Sequence, residues 1–188
     1  MRNVALMGRA GTGKTTLAQM LCERGTYDRV AIADSIKQVA RLAFGTYDKE
    51  TKYPQHQLGL STLVTGRELA QNIGAALRQM DSLFWLRAWK RRVEGRDPDG
   101  TRWVGDPHLW VCDDVRLDAE RAFIEAWYPD TLFVRLVRPQ AGDPEPWQFD
   151  ITESRAGDLP AELVLDTQAL TPQECLSAIL GAMNGGTK

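Results

Sequence analysis

The sequence predicts an α/β fold in three layers, a five-stranded parallel sheet with helices on both faces, on three observations. Five short apolar runs alternate with stretches of helical periodicity, the pattern of strands joined by crossover helices. The first run enters a glycine-rich loop that opens a helix. Later runs are followed by a carboxylate, at Asp34, Asp113 and Asp166, and in open α/β sheets ligands bind outside the carboxyl ends of the strands. With 188 residues, 43% hydrophobic and 26% charged, the chain is long enough to bury one sizeable core, so residues 1–188 are expected to form a single domain.

Asn3-Val4-Ala5-Leu6-Met7 is short and apolar, as a buried parallel strand should be. Gly8-Arg9-Ala10-Gly11-Thr12-Gly13-Lys14-Thr15 then fits the phosphate-binding loop (P-loop, Walker A) pattern G-x-x-x-x-G-K-[ST] at every fixed position. Lys14 to Glu23 follows as a helix with Leu17, Met20 and Leu21 on one face. Glycines let the backbone curl so that successive N–H groups converge on phosphate oxygens, and the helix N-terminus adds its partial positive charge. Gly8, Gly11, Thr12, Gly13, Lys14, Thr15 and Thr16 are therefore the expected ATP-binding residues, with Lys14 reaching the β- and γ-phosphates and the Thr15 hydroxyl binding Mg²⁺. An ordinary glycine turn between strand and helix would need neither the lysine nor the threonine.

Arg29 to Ala33 reads as the second strand, and Asp34 stands both where a helix N-cap belongs and where a substrate contact would fall. Lys37 lies one turn further on the same side, where a solvated lysine is the simpler reading. Gly45 to Val64 is polar and reads as a mobile connection long enough to serve as a flap. Thr65 and Glu68 form a capping box for the next helix, on which Arg67, Gln71 and Arg78 share one face. Two guanidiniums and an amide suit a phosphate and a base edge; a solvated polar stripe is the alternative. Asp81 to Val93 is expected as a helix with Leu83, Phe84, Leu86 and Trp89 inward, and Arg87, Lys90, Arg91, Arg92 and Arg96 as a solvated basic end. Gly95 to His108 is rich in turns, with Asp99-Gly100 a hairpin tip. The stretch from about 45 to 108 forms an acceptor-binding insertion in this reading.

Leu109-Trp110-Val111-Cys112-Asp113-Asp114 is an apolar run ending in carboxylates, the second motif of nucleotide-binding folds, whose acidic residue holds Mg²⁺ directly or through water. Asp113 and Asp114 both qualify, and either could instead cap the helix running through Glu120, Phe123 and Ile124. Thr131 to Val137 is the fourth strand, and Arg138-Pro139 opens a lid-like loop over about 138–152. Leu163 to Leu165 is the fifth strand, ended by Asp166, and Thr171-Pro172-Gln173-Glu174 starts a closing helix that runs to about Met183.

The bulk properties narrow the function classes. A net charge of −2 and a pI near 5.7 argue against a chain whose main partner is a nucleic-acid polymer. Cys22, Cys112 and Cys175 are too widely spaced for a metal site and read as buried free thiols, and His56 and His108 are too few for zinc. No apolar run approaches the roughly 18 residues that span a bilayer, and the N-terminus carries no leader pattern, so a cytoplasmic protein without a membrane partner is expected.

Several stretches together resemble the bacteriophage deoxynucleoside monophosphate kinase family, which is more distantly similar to adenylate and guanylate kinases. The resemblance covers most of the chain and rests on Gly8 to Thr15, Ala33-Asp34-Ser35-Ile36-Lys37, Gly66 to Gly74, Asp81 with Trp85, Asp114-Val115-Arg116 with Glu120, and Thr152-Glu153-Ser154. It implies Mg²⁺-dependent transfer of the ATP γ-phosphoryl to the 5′-phosphate of a deoxynucleotide. By the same resemblance Asp34, Lys37, Arg67, Gln71, Arg78 and Trp85 would border the acceptor, and Thr15, Asp113 and Asp114 the metal. The compartment would then be the host cytoplasm if the chain is phage-encoded, with monomer and homodimer both open.

The chain departs from the pattern at the lid. Pro139 to Asp150 contains no Arg or Lys, but does contain Asp143, Glu145 and Asp150, so the charge on the transferring group must be met by Lys14 and by Arg138, Arg155 or Arg116, in that order. Three other readings compete. One is a small-metabolite kinase acting on dephospho-coenzyme A, a sugar acid or phosphomevalonate. Another is a nucleotide-binding interaction module, against which there is no Asn-Lys-x-Asp-like guanine motif. The last is a polynucleotide 5′-kinase, disfavoured by the mild acidity.

Overall fold

The computed structural model describes residues 1–44, 47–48, 51–54, 63–95, 109–138 and 158–184. Along the chain these form β1 (Val4–Met7), α1 (Lys14–Cys22), β2 (Tyr27–Arg29), α2 (Ala33–Phe44), β3 (Lys52–Pro54), β4 (Leu63–Thr65), α3 (Gly66–Met80), α4 (Phe84–Val93), β5 (Leu109–Val115), α5 (Asp118–Trp127), β6 (Leu132–Val137), β7 (Leu163–Asp166) and α6 (Pro172–Asn184). They fall into two compact units, Met1–Ala31 with Arg92–Lys188, and Ile32–Arg91.

The first unit holds the expected parallel sheet, in the order β2-β5-β1-β6-β7. The order in which strands are added reverses about β1, with β2 and β5 on one side of it and β6 and β7 on the other, so the carboxyl end of β1 is the switch point at which such sheets bind ligands. Alternation along β6 explains the layers. Leu132, Val134 and Leu136 join Leu17, Leu21, Cys175, Ile179 and Met183 in a core shared by the sheet, α1 and α6. Phe133 points the other way, and the Arg121 guanidinium of α5 lies 4.6 Å from its ring centre.

Arg2 ties the amino ends of these strands together. Its Nη2 donates to both carboxylate oxygens of Glu162 at 2.8 Å and to Thr131 O at 3.1 Å, and its Nε donates to Asp130 O at 2.9 Å. Because the guanidinium spans three segments, Arg2→Ala is expected to lower unfolding free energy by about 1–2 kcal/mol. A urea midpoint that does not move would contradict this.

The second strand is displaced from its expected place. The ladder covers Tyr27–Arg29, while Val30, Ala31 and Ile32 are buried without belonging to it. Burial alone produced the apolar run there, and Tyr27, whose hydroxyl donates to Arg2 O and lies 2.8 Å from Met183 Sδ, begins the strand instead.

In the second unit, Ala40 of α2 and Leu69 of α3 make a small core with Tyr47, Val64 and Ile73 around it. The capping box at Thr65 is present: Glu68 N donates to Thr65 Oγ1, and Glu68 Oε2 accepts from Thr65 N at 2.8 Å. The backbone N–H of Thr65 holds the Glu68 carboxyl below its ordinary range, as Thr171 does for Glu174 at the start of α6. Both caps therefore act fully at neutral pH and are lost as pH falls through the lowered values. The polar connection after α2 contains a strand pairing that was not expected, β3 antiparallel to β4 with Tyr53 opposite Val64. Strands of three residues, one ending in proline, give too little alternation to be seen in sequence. The following helix starts at Phe84 and not at Asp81, because Asp81 Oδ1 accepts from Leu83 N and makes a turn of its own. Nor is the basic end of α4 wholly solvated: Arg92 is 2% exposed, and Arg87 pairs with Asp81.

Candidate active site

The loop after β1 is shaped by glycines, at Gly8 by a close approach of backbone and at Gly11 and Gly13 by positive φ. A Cβ on Gly8 would lie 2.3 Å from Leu136 O, so the loop leaves β1 pressed against the end of β6. Gly13 has φ of +87° and turns the chain into α1, whose first residue is Lys14. The Lys14 side chain is buried and bends back over the loop, with Nζ donating to Gly8 O at 2.7 Å and Arg9 O at 2.6 Å and lying 3.5 Å from Thr12 Oγ1. Thr12 is itself buried and donates to Arg9 O. Thr15 and Thr16 are exposed on the first turn of α1.

β5 brings the second half of the arrangement. Ala5 pairs with Cys112 and Met7 with Val115, so Leu6 alone stands opposite both Asp113 and Asp114. This is a bulge in the pairing of β5 with β1, and as neighbours on one strand the two aspartates point to opposite faces. Asp113 is 3% exposed and its Oδ2 accepts from Thr15 Oγ1 at 2.8 Å. Asp114 is half-buried and lies 3.3 Å from the Cys112 thiol. Burial and then the Asp114 charge push that thiol well above its usual value, so it stays protonated at neutral pH. The sequence left Asp113 and Asp114 equal; the geometry couples Asp113 to the phosphate-loop threonine. Neither caps α5, since Glu120 Oε2 takes the N–H groups of Arg116 and Leu117.

A third residue belongs to this cluster and had not been singled out. Arg29, the last residue of β2, places Nη2 2.9 Å from Asp113 Oδ1. That oxygen is buried and accepts no aligned hydrogen bond, so it keeps acceptor capacity beyond the ion pair. In sequence Arg29 opens the apolar run expected as the second strand, whereas the structure ends β2 on it, so no sequence signal paired it with Asp113. A hydroxyl and a carboxylate, all hard oxygen donors, fit Mg²⁺, which takes one or two protein ligands and completes its shell with phosphate and water. No group of three or more His, Cys, Asp or Glu side chains that could hold a metal occurs among the described residues.

The arginines expected to meet phosphoryl charge are placed differently from one another. Arg138 directly follows β6, is exposed, and donates from Nη1 to Gly11 O at 3.1 Å, which brings it onto the phosphate loop. Arg116 follows β5 and is half-buried. Arg155 and the lid residues 139–152 lie outside the described residues, as do the Asp99-Gly100 tip and Thr152-Glu153-Ser154.

The expected acceptor residues all lie in the second unit. Asp34 falls within the first turn of α2, which begins at Ala33, so it does not precede the helix as an N-cap. Its carboxylate accepts from Lys37 Nζ at 3.2 Å. On α3, Leu69 and Gly74 are buried, Gln71 is exposed, and Arg67 and Arg78 border the buried arc, half-covered. Trp85 is 3% exposed and donates Nε1–H to Gly74 O at 3.0 Å. Its indole holds α4 against α3, and its polar edge is already committed there.

No protein-family model matches the sequence, and no curated protein matches it. Solved structures do. A sugar kinase from Janibacter sp. HTCC2649, in an unliganded structure, is 16% identical over 99% of this chain and 96% of its own, with a TM-score of 0.51. Shikimate kinase from Aquifex aeolicus VF5 is 13% identical over 98% and 97%, with a TM-score of 0.52. At these identities the likeness is one of fold: a five-stranded parallel sheet flanked by helices. No described helix is long and apolar enough to cross a membrane.

Proposed function

We propose that this chain is an ATP-dependent phosphotransferase that moves the γ-phosphoryl group to the 5′-phosphate of a deoxynucleoside monophosphate. The observation that carries the donor half is the hydrogen bond from Thr15 to Asp113, 98 residues apart, which joins the phosphate loop to the acidic strand end in the pairing that Mg²⁺-nucleotide chemistry uses. Loop N–H groups and Lys14 bind the phosphates, and Thr15 and Asp113 hold the metal. Arg138, already on the loop at Gly11, is the first candidate to offset charge on the transferring group. When bound, Mg²⁺ supplies charge neutralisation and alignment of the β- and γ-phosphates. A phosphate acceptor is ionised at neutral pH and needs no base, so positioning dominates the chemistry.

The acceptor half rests on the family resemblance and on the Arg67, Gln71 and Arg78 face of α3. Arg67→Ala is expected to raise KM for the deoxynucleotide by about tenfold or more while KM for ATP changes less than about threefold. Equal effects on both would remove Arg67 from the acceptor role.

A second reading, transfer to a hydroxyl of a small metabolite, is favoured by one observation. Asp34 is a partly buried carboxylate held by Lys37, and a hydroxyl acceptor needs such a base. The shared fold of a sugar kinase and a shikimate kinase agrees with it. Deoxynucleotide-dependent ADP release in a panel of acceptors separates the two.

A further inference from the structure

We propose that Arg29 is a positioning residue for the metal-bound nucleotide: it neutralises and aims Asp113 in the metal-free protein, then cedes that carboxylate to the divalent cation. This rests on the donor half of the function above. Arg29 pairs with Val111 in the sheet, and Asp113 lies two residues beyond Val111 on the same side of β5. The two carboxylate oxygens have separate partners, Oδ2 the Thr15 hydroxyl and Oδ1 the guanidinium, which fixes the rotation of the group. Exposure differs between the two ends of the pair. The Asp113 side chain is 2% exposed, whereas that of Arg29 is 30% exposed.

A carboxylate this deeply buried needs a counter-charge in every state of the protein. Without metal, Arg29 supplies it. With Mg²⁺ at Thr15 and Asp113, two cations contend for one carboxylate, and the guanidinium, on the more exposed side chain of the pair, is the one that yields. Arg29 therefore sets the Mg²⁺ affinity of the site. It preserves the metal-free geometry and weakens metal binding by the coupling between the two cations, which is reciprocal.

The test compares the wild type with Arg29→Met and Arg29→Lys, using ADP as the probe. Melting temperature is recorded without metal and with Mg²⁺, and the Mg²⁺ concentration that half-saturates ADP binding is measured by calorimetry. Arg29→Met is expected to melt several degrees lower without metal, to gain more from Mg²⁺ than the wild type, and to reach half-saturation at about fivefold less Mg²⁺ or lower. Arg29→Lys, which keeps the charge, should stay near the wild type. A lower melting temperature with an unchanged Mg²⁺ increment and half-saturation would reduce Arg29 to a structural ion pair and overturn the proposal. If the wild type itself binds ADP with no dependence on Mg²⁺, the donor-site reading fails and the proposal falls with it.

Should Arg29→Met not fold, the arginine Nε–H signals of the wild type decide, with Arg29→Lys identifying the Arg29 resonance. A shift on adding Mg²⁺ to the ADP complex supports release of the guanidinium. An unmoved signal refutes it.

Discussion

Lys14→Ala is expected to cut ATP-dependent turnover by at least about 10²–10³-fold while leaving the protein folded. The side chain brings its positive charge to the centre of the loop, within 2.7 Å of two backbone carbonyls. Phosphate oxygens are far stronger partners for an ammonium than amide carbonyls, so the loss falls on the bound nucleotide and its transition state. Truncation also leaves Gly8 O and Arg9 O without this donor, which accounts for a drop in melting temperature of a few degrees at most, since the core around Val4, Leu6, Leu17 and Val111 is untouched. Steady-state kinetics with a parallel thermal melt checks both parts. Activity within tenfold of the wild type would mean that this loop does not serve phosphoryl transfer.

Asp113→Asn should be nearly as damaging, and Asp114→Asn should not. The Asp113 change keeps shape and removes charge, so Thr15 can still donate to the amide oxygen while the proposed metal site loses its anionic group. Turnover is expected to fall by about 10²-fold or more, and the Mg²⁺ needed for half-maximal rate to rise by about tenfold or more. Asp114 faces away past the bulge toward Cys112, so its amide variant should retain activity within about tenfold. Reversed effects would move the metal ligand to Asp114.

The contrast between these two residues shows how far sequence reading reaches. The phosphate loop was legible because its chemistry is local: glycine torsions, one lysine and two threonines within eight positions. Four of the five sheet strands were legible because a buried parallel strand is apolar on both faces, whereas β2, Tyr27-Asp28-Arg29, carries no such run and was expected two residues too late. What distinguishes Asp113 from Asp114 is that Asp113 meets Thr15 and Arg29, a property of three segments together that the run does not carry alone. Arg29 stayed hidden for the same reason, since its partner is 84 positions away on a neighbouring strand. The β3–β4 pairing was missed because three-residue strands have no period to detect. The resemblance implies an acceptor role for Trp85, and its burial with Nε1–H on Gly74 O is a tertiary fact that composition does not reveal.

The most direct measurement is a coupled assay of ADP release with ATP and Mg²⁺, offering each of the four common deoxynucleoside monophosphates, their ribose counterparts, and a set of sugar acids, shikimate and dephospho-coenzyme A separately. The account predicts acceptor-dependent turnover with one or more deoxynucleotides, abolished in Lys14→Ala. Turnover confined to the hydroxyl-bearing metabolites, with every deoxynucleotide inert, would contradict it.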